Sequence, residues 1–155
     1  MRIGHGFDSH EFKAGVPLRI GGVAIAHDKG LAGHSDGDVL LHALTDALLG
    51  AVAAGDIGAY FPPGDPKWKN ADSALFVEEA MRAVERAGYH VGNADITLIV
   101  AAPKIGPHRE QIQARVAELL KVKTGQVSIK AKTPEGLNLD NTAQAHALVL
   151  LYKQL

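Results

Sequence analysis

One stretch constrains this chain more than any other. Residues 39–54 read VLLHALTDALLGAVAA, a run too long for one strand and without strand-breaking punctuation. It predicts a buried helix over 39–54, with Ser35 or Asp36 in the turn-rich HSDGD segment (34–38) able to cap it. Through this apolar run passes a single polar line, Asp38, His42 and Asp46, spaced i, i+4 and i+8. Residues four apart stack on one helix face. A buried helix that keeps a histidine between two carboxylates must pair those groups or bind something. A plain His–Asp hydrogen bond and a ligand site are both open on this pattern alone.

A second polar pair sits in the N-terminal stretch GFDSH, where Asp8 and His10 are two apart. Residues 2–10 read as a strand, so these two side chains point the same way, about 7 Å apart along the backbone, with Ser9 facing oppositely. Such a pair is either a solvated strand face or half of a metal site. If His42 joins them, the set is two imidazoles and a carboxylate. That is the donor set of a catalytic zinc, with three protein ligands and a fourth position for substrate. Asp38 or Asp46 would then orient His42 from behind.

The rest of the chain bounds the context. At 155 residues it fits one domain, 1–155, with 46% apolar and 21% charged residues. A net charge of −1 argues against a nucleic-acid-binding face, and no apolar run is long enough to span a bilayer. Cysteine is absent, so thiolate metal sites are excluded. A cytoplasmic setting is the expectation. Eight histidines are spread along the chain, of which one to three are expected to do chemistry.

Element by element, PLRIGGVAI (17–25) signals a hairpin or bulge at Gly21-Gly22. Residues 56–70, with three prolines, read as one long loop, and loops of that length are often functional. Helices are predicted at about 73–87, capped by Asp72 or Ser73, and from Pro107 onward; strands are predicted at 94–101, 126–133 and 144–153. The order gives an α/β (α+β) chain, a mixed β-sheet covered on one face by helices. The uncovered face needs polar residues or another subunit.

Several segments suit a phosphorylated, polyhydroxylated ligand. HSDGD and DIG…FPPGD offer small residues and a helix N-terminus, with Ser35, Phe61 and Asp65 as substrate-binding candidates. APK (102–104) and KAKTPE (130–135) put Lys104, Lys132 and Thr133 at strand ends; Thr133 can donate to a phosphate oxygen, and Glu135 can hold a hard cation such as Mg²⁺.

Taken together, RIGHGFDSH, PLRIGGV, GLAGHSDGDVLLHALTDALLGA, GDIG, APK and KAKT resemble, in order and in spacing from residue 2 to about 137, the 2-C-methyl-D-erythritol 2,4-cyclodiphosphate synthases of the non-mevalonate isoprenoid pathway. The resemblance implies an α/β subunit in a homotrimer packed through its sheets, with active sites between subunits. It implies zinc, or another divalent cation, on Asp8, His10 and His42, one per subunit, and Mg²⁺ or Mn²⁺ with the substrate diphosphate at Glu135. His34 and Thr133 would stabilise the transition state, and Asp56, Ile57 and Gly58 would contact substrate hydroxyls. Val100, Ala101, Ala102, Pro103, Lys104, Ile105 and Gly106, with Ala131 and Lys132, would form a cytidine pocket. The implied reaction converts 4-diphosphocytidyl-2-C-methyl-D-erythritol 2-phosphate to the cyclic diphosphate and CMP.

The chain departs from the family pattern at Pro63-Gly64, where an acid and a hydroxyl are lost, and at Pro134, which replaces a threonine. Around Thr142 it lacks the arginine that the family associates with isoprenoid-diphosphate binding in the trimer's central cavity. Two other readings stand beside the synthase: a zinc phosphoesterase using the same metal to activate water, and a non-catalytic trimeric binding protein.

Overall fold

The computed structural model describes all residues, Met1–Leu155. A five-stranded sheet runs in the order β4-β1-β7-β5-β6, built from β1 (Arg2–Ala14), β4 (Lys29–Leu31), β5 (Tyr89–Val100), β6 (Val127–Lys132) and β7 (Thr142–Lys153). Only the β5–β6 pair is parallel, so the sheet is mixed, as expected. β2 (Leu18–Ile20) and β3 (Val23–Ile25) form a separate hairpin. Its turn is Gly21-Gly22, both at positive φ, where a side chain is disfavoured.

Helix α1 spans Val39–Ala51 and is packed between the strands and α3 (Ala74–Arg86). Its leucines are fully buried, which is why the sequence there shows no polar stripe beyond the Asp38-His42-Asp46 line. It ends earlier than 54 because Ala53 takes positive φ and Gly55 follows at φ 95. Asp38 is the N-cap, accepting from the Leu41 N–H, rather than Ser35 or Asp36.

The approach of α1 to the sheet is set by two glycines. A Cβ on Gly4 would lie 1.9 Å from the Ala47 carbonyl oxygen, and one on Gly6 would lie 1.8 Å from that of Ala43. Only glycine lets the helix backbone rest on β1 at this distance. That contact puts His42, on the same helix, above Asp8 and His10.

Three local expectations change. β1 continues to Ala14 because residues 12–14 pair with β4, a three-residue strand too short to be seen as a pattern. β5 begins at Tyr89, not 94: a bulge between Val91 and Asn93 breaks the alternation that the sequence signal depends on. The 56–70 loop contains a short helix α2 (Ile57–Tyr60) and a 3-10 turn at Pro66–Trp68, each started by an aspartate, Asp56 and Asp65, that accepts a backbone N–H. The remaining helix, α4, covers Arg109–Leu119 and packs on β6.

All helices lie on one side. On the other, Ile3, Phe7, Leu148 and Tyr152 stand exposed, with Ile3 68% accessible. No helix is long and apolar enough to cross a membrane.

Candidate metal centre

Asp8 and His10 are neighbours on the helix-covered side of β1, and α1 brings His42 to them. Asp8 Oδ2 lies 2.8 Å from His10 Nε2 and 3.1 Å from His42 Nδ1, and the two nitrogens are 3.1 Å apart. One donor atom from each residue thus falls within 4.8 Å of the others.

The remaining ring nitrogens are already committed. His10 Nδ1–H donates to the Ala32 carbonyl at 2.5 Å, which aims Nε2 at Asp8. His42 Nε2–H donates to Ser73 Oγ at 2.8 Å, which aims Nδ1 at Asp8 and His10. Ser73 in turn donates to Asp36 Oδ1 at 2.5 Å, and the other Asp36 oxygen accepts the Ser73 N–H at 2.9 Å. A carboxylate, a serine and a histidine therefore form a chain in which every proton has one place. Ser35 Oγ, 3.0 Å from the same His42 nitrogen, stands beside it.

Burial by itself would raise the Asp8 pKa, but the hydrogen bonds and charge of His10 and His42 outweigh it and bring it down to about 2. His10 moves the other way: burial would lower it, and the Asp8 hydrogen bond and charge, with the Ala32 carbonyl, raise it. Two imidazole nitrogens and an ionised carboxylate, all converging and all with their other bonds satisfied, fit a borderline divalent cation such as zinc.

Asp38 and Asp46 do not support His42. Asp38 is fully buried and spends both oxygens on the N–H groups of Gly21 (2.9 Å), Gly22 (2.7 Å) and Leu41. Burial pushes its pKa up. Asp46 accepts the Ile57 N–H at 2.8 Å and so fixes the start of the Ile57–Tyr60 helix. The i±4 spacing put them on the right face, but the helix lies so close to β2–β3 and α2 that backbone donors reach them first. Ser73, which does hold His42, comes from a distant segment and is itself held by Asp36 of the nearby HSDGD turn; the sequence marked both only as helix-cap candidates.

A cavity of about 230 Å³ opens on the triad. Its walls include His34, Ser35, Ile57, Gly58 and Phe61, with Pro63, Trp68 and Phe76. The sequence reading did not name the last two as site residues; it placed Phe76 on the apolar face of the 73–87 helix. They stack around Phe61, whose ring lies 4.3 Å from Phe76 and 4.9 Å from Trp68, and Phe76 is 5.8 Å from the His42 ring. This apolar wall borders the three converging side chains. His34 Nε2–H donates to the Asp65 carbonyl at 2.9 Å, tying the 62–68 segment to the HSDGD turn. Asp65 spends its carboxylate on the Lys67 N–H, and Asp56 on the Ala59 N–H.

A second cavity, of about 270 Å³, gathers Val100, Ala101, Pro103, Lys104, Ile105 and Gly106 with Ala131, Lys132 and Thr133. Ala102 supplies the peptide bond to Pro103, which is cis. Thr133 Oγ1 donates to Glu135 Oε1 at 2.8 Å just beyond it. The two cavities share no lining residue. Yet they flank one end of the sheet: His10 and Val100 both pair with Ala143, from opposite sides.

Residues 1–152 match the YgbB family. The chain is 69% identical over 154 residues, covering 99% of both proteins, to a protein of Koribacter versatilis (strain Ellin345) named 2-C-methyl-D-erythritol 2,4-cyclodiphosphate synthase. It is 50% identical to the chloroplastic protein of that name from Arabidopsis thaliana, over 99% of this chain and 68% of the plant one. Among solved structures, a CDP-bound form of a 2C-methyl-D-erythritol-2,4-cyclodiphosphate synthase superposes with a TM-score of 0.92 at 43% identity, covering 97% of this chain and all of that one.

Proposed function

The chain belongs to the YgbB family, and relatives that it matches along its whole length are 2-C-methyl-D-erythritol 2,4-cyclodiphosphate synthases; on that premise we propose that it closes the same ring. An oxygen of the substrate's 2-phosphate forms a bond to the β-phosphorus. The bond from that phosphorus to the bridging oxygen of CMP breaks, and CMP leaves with the electron pair. No water is consumed. The observation that carries this reading is the convergence of Asp8, His10 and His42 on the wall of one pocket.

The chemical difficulty is that an anion attacks an anion, so positioning and charge stabilisation do most of the work. Zinc held by Asp8, His10 and His42, and Mg²⁺ or Mn²⁺ at Glu135, supply positive charge to the phosphates when bound. The protein's own groups do the rest. Asp56, Ile57 and Gly58 hold the erythritol hydroxyls; Thr133 donates to a phosphate oxygen. His34, now on the Asp65 carbonyl, is placed to donate to developing charge once substrate enters. The Val100–Gly106 and Ala131–Lys132 cavity takes the cytidine, consistent with the CDP that the similar solved structure carries. Pro63 brings neither an acid nor a hydroxyl to its part of the pocket wall, which it shares with the Phe61, Trp68 and Phe76 rings.

The working form is proposed to be a cytoplasmic homotrimer with each site shared between neighbours. Two cavities without a common residue, and the exposed apolar side of the sheet, support that arrangement. Incubating the protein with the diphosphocytidyl substrate, Zn²⁺ and Mg²⁺ in ¹⁸O-water tests the chemistry. CMP and a cyclic product free of ¹⁸O are expected, and solvent label in the product favours the phosphoesterase. Mixing inactive His42→Ala and Lys132→Ala chains and reassembling them tests the sharing, since activity returns only if the two cavities of different chains cooperate.

A further inference from the structure

We propose that Arg19 is a positioning residue for the metal centre, acting on His42 through Asp36 and Ser73. Its guanidinium holds the Asp36 carboxylate in place, and Asp36 fixes the direction of the Ser73 hydroxyl. Ser73 thereby keeps the His42 proton on Nε2, so that Nδ1 stays the ligand atom. The idea rests on the reading of Asp8, His10 and His42 as metal ligands, and not on the reaction proposed for them. Arg19 lies in β2, outside the five-stranded sheet, and none of these contacts involves the open side of that sheet.

The charges around Asp36 call for a cation. Its side chain is only 9% exposed, and it stands two residues from Asp38, which is fully buried. Burial, and after it the charge of Asp36, push the Asp38 pKa up. Asp72 adds a third carboxylate. Arg19 faces two of the three: Nε is 3.7 Å from Asp36 Oδ2, and one terminal nitrogen is 3.9 Å from Asp72 Oδ2. The same terminal nitrogen donates to the Gly22 carbonyl at 3.3 Å, at the hairpin turn whose N–H groups go to Asp38. Nε itself is buried and has no hydrogen-bond partner. A buried N–H without an acceptor is costly, and the charge of Asp36 is what offsets it.

Without Arg19 the three carboxylates are left to repel one another. A cavity of about 480 Å³, lined by Arg19, Asp36, Lys13 and Asn70 among others, opens beside them and gives Asp36 room to turn away. The Ser73 hydroxyl then loses the acceptor that now takes its proton, and turns that proton toward His42 Nε2. His42 responds by carrying its own proton on Nδ1, the nitrogen 3.1 Å from Asp8 Oδ2. A protonated Nδ1 has no lone pair for a cation. The number of protons on the ring is unchanged; only their place differs. A plain field effect has the opposite sign, since removing a positive charge draws a cation in more tightly.

The test is Zn²⁺ affinity, measured against a chelator on metal-free full-length protein. Wild type is compared with Arg19→Met, Ser73→Ala and the double variant, and with Lys13→Met, which removes another cation from the same cavity. Arg19→Met is expected to weaken affinity about 10-fold, Lys13→Met to leave it unchanged, and the double variant to match Ser73→Ala alone. In metal-free protein the His42 ring-nitrogen shifts are expected to report Nε2–H in the wild type and to move toward Nδ1–H in Arg19→Met. Unchanged or tighter binding in Arg19→Met overturns the proposal, as do an equal loss in Lys13→Met, an equal loss on the Ser73→Ala background, or an unmoved tautomer. Arg19→Gln repeats the comparison where the methionine loosens the hairpin. A wild type that binds no Zn²⁺ sinks the metal reading instead, and the nitrogen spectrum still decides the role of Arg19.

Discussion

Strand β1 carries histidines on both sides of the sheet, and the two sides treat them differently. Under α1, His10 is only 15% exposed, with one ring nitrogen on a backbone carbonyl and the other 2.8 Å from a carboxylate. His42 is held the same way, by Ser73 behind and Asp8 in front. On the other side His5 has one ring partner, His146, at 3.1 Å. The centre under α1 is preorganised by a backbone carbonyl, a serine and a carboxylate, whereas the His5 and His146 rings meet only each other and Phe7. The distances between nitrogens are the same; what differs is how many bonds fix each ring.

This contrast can be broken from the covered side first. His42→Ala removes a ligand, and metal content and synthase activity are expected to fall together to background; full activity in a metal-free variant refutes the assigned role. Gly6→Ala inserts a methyl against the Ala43 carbonyl, forcing α1 off the sheet. It is expected to cost about 3 kcal/mol in denaturant unfolding, the upper end of overpacking, while Ser9→Ala on the opposite face stays within about 0.5 kcal/mol.

Asp8 gives a pH signature of similar size. Its folded pKa of about 2 lies below the 3.8 of the free side chain. Its contribution in metal-free protein is therefore full above 3.8 and is lost as pH falls toward 2. That is about 2 kcal/mol, read as the difference between wild type and Asp8→Asn in unfolding at pH 5 and pH 2.5. His10, raised above 6.5, works in the other direction for metal: ions must displace its proton, so affinity weakens as pH drops through that raised value.

Ser73→Ala removes the acceptor behind His42 and is expected to weaken divalent-cation binding about 10–100-fold, measured against a chelator without any turnover. If affinity is unchanged, Ser35 holds the ring and Ser73 does not. The smallest effect belongs to the open face. Lys130→Ala breaks the exposed pair with Asp95, for less than about 1 kcal/mol.

Much of this site was legible before any fold was known. The D-x-H pattern fixed Asp8 and His10 to one face of a strand, and the 39–54 run marked His42 as a polar residue inside an apolar helix. Both are local periodicities, and a strand or helix imposes them whatever surrounds it. The same local logic misassigned the support of His42 to Asp38 and Asp46, because i±4 spacing names the neighbours on a helix and nothing beyond it.

Only the tertiary structure decided the rest. The 1.8 Å and 1.9 Å approaches that exclude any side chain at Gly6 and Gly4 put the helix on the strand. Ser73 reaches His42 across 31 residues of sequence, and its hydroxyl turns back across 37 to Asp36, through two hydrogen bonds. His5 and His146 meet because the last strand pairs with the first. Residue type and spacing settle which side chains are able to bind a metal; which of them share one ion depends on contacts between segments far apart in the chain, and those are fixed only when the sheet order and helix packing form together.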